Sequence, residues 1–159
     1  MTLLRREEGY RAFGDSYFAG QEKAWTADGL GYVSQVAIDG VRLAIVGLDS
    51  AWLAEGGLED HGKLLSGERQ AMNALDLARA LDPHIVIAMA HHPFHLLREF
   101  ERLPIQSRVE RSCHFFHCGH LHEPETRNIG YAGTGCLTVG AGASLETRDS
   151  RNTYTVRNA

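Results

Sequence analysis

Residues 41–50 read VRLAIVGLDS and residues 84–93 read HIVIAMAHHP. Each is a short, almost unbroken apolar run, as expected of a buried strand, the first buried on both faces. Between them, Ser66 can cap a helix extending to about Leu81. Met72, Leu75, Ala78 and Leu81 supply its apolar stripe, and Pro83 ends it. Strand, helix, strand in that order implies a parallel crossover and an α/β layered domain.

Residues 31–38 (GYVSQVAI) alternate apolar and polar, as a half-buried strand does, and Asp39-Gly40 is a strong hairpin signal leading into the 41–48 run. Upstream, residues 3–20 have helical spacing, with Tyr10, Phe13, Tyr17 and Phe18 on one face. Residues 53–65, with Gly56, Gly57 and Gly62, read as a loop. After His91-His92-Pro93 comes a polar stretch with helical character, broken by Pro104. Residues 114–118 (HFFHC) read as a short strand running into Gly119, with further strands expected near 136–139 and 153–157. No repeat or linker interrupts the chain, which reads as a single domain over residues 1–159.

A chain of 159 residues can bury about two-thirds of its unfolded surface, enough for a core. Its 43% hydrophobic and 23% charged residues exclude a disordered tail, a collagen-like repeat and a coiled-coil rod. No apolar run approaches the roughly 20 residues of a membrane span. The opening MTLLRREEGY has no apolar core of a secretory signal. The 14 arginines and 2 lysines are scattered, so no nucleic-acid surface is expected. Three cysteines without C-x-x-C point to a reducing, cytoplasmic compartment.

All nine histidines lie between His61 and His122. Two motifs stand out: Ala90-His91-His92-Pro93 and Gly119-His120-Leu121-His122, each just after a predicted strand. In open α/β sheets, sites form beyond the carboxyl ends of strands. The proline turns the chain out of the sheet and presents His91 at the rim. Gly119 is expected to bend the backbone so that His120 and His122, which would point to opposite faces of a regular strand, aim at one cavity. Imidazole is the commonest metal ligand. His91, His120 and His122 are therefore the candidate ligands, with His92 expected either to lie behind the ligands and support them or to face substrate. His61, His84, His95, His114 and His117 read as surface or hydrogen-bonded core residues. Cys118 is expected to face the core rather than join a zinc knot with Cys113. Ser50 lacks the G-x-S-x-G setting of a nucleophile, and Gly140-Ala-Gly142-Ala matches no phosphate-binding fingerprint.

H-x-P followed by G-H-x-H, each after a buried strand, resembles the C-terminal half of the calcineurin-like metallophosphoesterases. Residues 41–50 are similar to the strand before the crossover in bacterial members akin to class III cyclic-nucleotide phosphodiesterases. Residues 62–70 (GKLLSGERQ) resemble the loop entering the family's helix. The resemblance spans about residues 10–157. It implies part of a four-layer α/β/β/α sandwich with a dinuclear centre of divalent or trivalent ions (Mn, Fe or Zn) at the strand ends. His91 and His120 would hold one metal and His122 the other. The implied activity is hydrolysis of a phosphoester.

The family's first motifs, D-x-H, G-D-x-x-D and G-N-H-[DE], are expected nowhere in this chain. Gly14-Asp15 has no second aspartate at the required spacing, and no Asn-His pair exists. The chain is thus expected to be a fragment, the second half of the domain, and to need the missing N-terminal half as its partner. Alone, it is expected to bind metal weakly, to be inactive and to associate, with the strand of residues 84–90 beside an exposed edge or apolar face once the rest of the domain is missing. The other classes open to these residues are a stand-alone module binding a single metal without catalysis and a degenerate interaction domain.

Overall fold

The computed structural model describes residues 5, 7–20, 23–27, 29–55, 60–121, 124–131 and 133–142. The strand expected near 153–157 and the candidate ligand His122 lie outside the described residues. In chain order the elements are α1 (Glu8–Tyr17), β1 (Lys23–Trp25), β2 (Gly31–Ile38), β3 (Val41–Leu48), α2 (Glu68–Ala80), β4 (Ile85–Ala90), a 3₁₀ turn (Phe94–Leu96), α3 (Glu99–Ser112), β5 (Phe115–Cys118), β6 (Glu125–Tyr131) and β7 (Thr134–Gly140). The fold is mixed α/β. Among the described residues seven strands form one sheet in the order β1-β2-β3-β4-β5-β7-β6. The centre is parallel, β3 to β4 to β5 to β7, and both flanks are antiparallel hairpins.

The β2–β3 hairpin turns where the sequence predicts. Asp39 (φ 49°) and Gly40 (φ 81°) are both left-handed, the pattern of a type I′ turn whose twist matches the strands. Helix α2 buries Ala71, Ala74, Leu75 and Ala78 against β2 and β3. Three alanines on that face let the helix lie close to the sheet. Its amino end departs from expectation. Ser66 does not cap it, and its buried Oγ has no hydrogen-bond partner. Instead the buried carboxylate of Glu101, from α3, accepts the amides of Ser66 (3.0 Å), Gly67 (3.1 Å) and Glu68 (3.4 Å). A charged acceptor pointed at the positive end of the helix is a stronger cap than a serine hydroxyl.

Pro104 does not break the polar stretch after the histidine pair; it lies inside α3. It sits in the second turn, where the lost bond falls on the carbonyl of Phe100, an exposed residue whose oxygen can turn to water.

The strands of residues 41–48 and 85–90 are not buried on both faces. One face carries the core: Val33, Ala44, Val46, Ala88 and Phe116 pack beneath α2 and α3, and Phe94 stacks on Phe116 with ring centroids 4.1 Å apart. The other face presents Val36, Ile38, Val41, Leu43, Ile45, Ile87, Met89 and Leu137, with Ile38 55% and Met89 43% exposed. Among the described residues no helix or second sheet lies over the middle of this apolar face.

The sequence does contain one D-x-H triplet, Asp82-Pro83-His84, but at the amino end of β4, the end away from the strand-end histidines. Asp82 pairs with Arg42 at 2.9 Å, and His84 Nδ1 accepts the Arg42 amide at 3.0 Å. His114 does the same one strand over, where its Nδ1 accepts the Val86 amide at 3.0 Å. These two histidines cap the starts of parallel strands, in keeping with the structural reading.

Candidate metal centre

Parallel strands β3, β4 and β5 all end at the same edge of the sheet. The register pairs Leu48 with Ala90, so the next residues along each strand, Asp49-Ser50 and His91-His92, leave the sheet side by side. Beside them β5 runs out through Gly119, whose amide donates to the His91 carbonyl at 2.9 Å. That bond brings His120 against His91, and His120 Nδ1 lies 3.2 Å from His91 Nε2.

His91, His92 and His120 each offer a nitrogen within 4.8 Å of the other two. The ring centroids are 4.5 Å apart for His91 and His92, 4.6 Å for His92 and His120, and 5.2 Å for His91 and His120. The structure thus brings together three of the four site histidines singled out in the sequence. The fourth, His122, lies outside the described residues.

The bend is not where the sequence places it. Gly119 has no left-handed φ. The left-handed residue is His120 itself, with φ 70°. A β-carbon at Gly119 would meet nothing closer than the His91 carbonyl, at 3.7 Å. A non-glycine residue in this region costs about 1 kcal/mol or more, and such strain gathers at functional sites.

His92 is 4% exposed and its partners come from one residue. Its amide donates to Ser50 Oγ at 3.0 Å, and its Nδ1 lies 3.0 Å from that Oγ and 3.1 Å from the Ser50 carbonyl oxygen. The carbonyl can only accept, so in the tautomer that uses it Nδ1 carries the proton and Nε2 keeps its lone pair; in the other tautomer the Ser50 hydroxyl donates to Nδ1. Burial, reinforced by the like charges of His91 and His120, holds the imidazole neutral and lowers its pKa to about 4. Ser50 is itself 2% exposed, so its hydroxyl serves the histidine rather than a substrate. This pair is not evident from either segment alone. Pairing residues 41–48 with 85–90 in parallel register would have placed Ser50 beside His92.

A cleft of about 470 Å³ opens next to His91, walled by Tyr10, Trp25, Tyr32, Met89 and Asp49. Trp25 meets Tyr10 and Tyr32 edge to face, at 6.5 and 5.8 Å between centroids. Burial raises the Asp49 pKa, opposed by hydrogen bonds from the Ala51 and Trp52 amides to its Oδ1.

Converging imidazoles suit a borderline ion such as zinc, iron or nickel. Two nitrogens on one edge of a tetrahedral site with bonds of about 2.0–2.1 Å stand about 3.3 Å apart. The 3.2 Å between His120 Nδ1 and His91 Nε2 fits that edge. The three cysteines are buried, and burial raises each thiol's pKa, so among the described residues they take no part here.

No protein-family model matches the chain, and no curated protein does. Comparison with solved structures gives a likeness of fold. The sulfate thiohydrolase SoxB of Thermus thermophilus, determined with glycerol, superposes with a TM-score of 0.52 at 18% identity, covering 87% of this chain and 26% of SoxB. A Staphylococcus aureus protein described as a candidate 5′-nucleotidase, determined with alpha-ketoglutarate, gives 0.49 at 12% identity, covering 77% of this chain and 26% of that one. The chain thus spans about a quarter of the length of each. The likeness to SoxB is one of fold, and the fold common to both is α/β.

Proposed function

We propose that the chain is the histidine-bearing half of a metal-dependent phosphoester hydrolase. In this reading His91 and His120 hold one ion, and His122, assigned by its place in G-H-x-H, holds a second. The carboxylate and amide ligands of a complete centre come from sequence other than these 159 residues, in the missing N-terminal half of the domain. The observation that carries the reading is the approach of His91 and His120 to 3.2 Å at the carboxyl ends of parallel strands. The α/β fold and the order H-x-P, then G-H-x-H, support it.

The ions, when bound, would act as Lewis acids toward the phosphoryl group and make water a nucleophile at neutral pH. The chain's own residues supply the setting. His91 and His120 are held by the Gly119 bond between strand ends, so their nitrogens stay aimed at one point. The cleft beside His91 leaves room for the ester group, and its aromatic walls exclude water from part of it.

The test is the reading frame upstream of the Met1 codon. The expected result is in-frame coding for D-x-H, G-D and G-N-H-[DE]. The longer polypeptide, loaded with manganese, should hydrolyse bis(p-nitrophenyl) phosphate or p-nitrophenyl phosphate. In it, His91→Ala and His120→Ala should each lower the rate by more than about a hundredfold. A stop codon directly upstream, or a longer protein inert toward both esters, would overturn the reading.

A further inference from the structure

We infer that His92 is a metal ligand, so that His91, His92 and His120 form a three-imidazole site that holds one ion within this chain alone. The inference goes beyond the phosphoesterase reading, which gives His92 no metal, and it rests on ring placement rather than on that reading.

Three observations carry it. First, the three rings converge, with one nitrogen of each within 4.8 Å of the other two. Without an ion, either His120 Nδ1 or His91 Nε2 must carry a proton to bridge their 3.2 Å gap; with an ion, both are lone pairs on one edge of its coordination shell.

Second, His92 has the outer hydrogen bond typical of a metal-bound imidazole. Such a ring donates its other N–H to a carbonyl or carboxylate, which fixes tautomer and orientation. Here the Ser50 carbonyl stands 3.1 Å from Nδ1, placed to accept such an N–H, with Ser50 Oγ also in reach and accepting the His92 amide. This leaves Nε2 on the one ring of the three that is fully buried. A histidine whose only task was to face solvent or substrate would need no such clamp.

Third, His120 sits at φ 70°, a backbone conformation that costs energy in a residue with a side chain. The neighbouring glycine, which could adopt it freely, does not. The strain falls on the residue whose ring is thereby turned toward His91 and His92. Three protein nitrogens with an open fourth position are the minimum of a catalytic zinc site.

The test is zinc titration of the full 159-residue chain by calorimetry, with X-ray absorption of the zinc-loaded protein to count imidazoles. Expected are one zinc per chain and three imidazoles. The decisive variant is His92→Asn. Its side-chain amide can still donate to the Ser50 carbonyl, so the buried bond survives while Nε2 is lost. It should fold, as judged by circular dichroism, and weaken zinc more than about tenfold. Two imidazoles in the wild type, unchanged affinity in His92→Asn, or no zinc bound at all would each overturn the inference. Should His92→Asn fail to fold, nitrogen-15 NMR of the wild-type histidine side chains decides: a His92 ring unmoved by zinc overturns the inference. Three imidazoles with no ester hydrolysis in any longer protein would sink the phosphoesterase reading and leave this site standing; two imidazoles with hydrolysis would do the reverse.

Discussion

Ser50 holds both polar groups of His92 that face the strand ends: the amide through Oγ at 3.0 Å, and Nδ1 through the carbonyl at 3.1 Å. The two residues are 42 positions apart and meet because β3 and β4 are parallel and in register. Ser50→Ala leaves the buried His92 amide without its acceptor. It should cost about 1–3 kcal/mol of stability, measured by urea denaturation, and weaken zinc about tenfold or more through the loosened ring. A variant as stable as the wild type would show that the pair carries no structural weight.

The same burial makes stability depend on pH. His92 is neutral in the fold, with its pKa lowered to about 4, while in the unfolded chain it titrates near 6.5. Between those values the unfolded chain binds the extra proton. The stabilisation is therefore full above pH 6.5 and is lost as pH falls toward 4. His95, lowered by burial and by His61, acts in the same direction, and Asp49, raised by burial, in the opposite one. The difference between wild type and His92→Asn isolates the term. The wild type, measured without metal, should lose more urea resistance than the variant on going from pH 7.5 to pH 5.

His120 is expected to trade stability for placement. His120→Gly removes the left-handed strain and should raise metal-free stability by about 1 kcal/mol while abolishing tight zinc binding. Gly119→Ala, with no close neighbour for its methyl group, should leave both within experimental error. Thermal melts with and without zinc read both outcomes.

Glu101 ties two helices together. Glu101→Ala removes a buried acceptor from three amides at the start of α2 and should cost about 2–3 kcal/mol. Glu101→Gln keeps one oxygen and should cost less. Equal losses in the two variants would show that the charge, rather than the acceptor geometry, is what α2 needs.

The open apolar face of the sheet should drive association. Five adjacent strands spaced about 4.8 Å apart and about 20 Å long present an area near that of one side of a small protein interface. Sedimentation of the chain at micromolar concentration should show species larger than a monomer, and Ile38→Lys with Met89→Lys should restore the monomer. A monomeric wild type would mean that something outside the described residues shields this face.

By itself, the sequence determined the hairpin, the crossover and the class of fold. These follow from short-range signals: alternation over residues 31–38, the Asp39-Gly40 turn, and two apolar runs flanking a helical stripe. It also singled out His91, His92 and His120, because a histidine at the carboxyl end of a buried strand is marked by its neighbours along the chain. Only the tertiary structure decided what those neighbours do across strands. Register placed Ser50 under His92, the folded chain put the left-handed residue at His120 rather than a bend at Gly119, and Glu101, 35 residues away, replaced Ser66 as the cap of α2. It also left one face of β3 and β4 open, which the apolar run alone could not show, since a strand records how apolar it is and not what lies above it. The common reason is that hydrogen bonds between residues distant in sequence depend on strand pairing, and pairing is a property of the whole sheet rather than of any one segment.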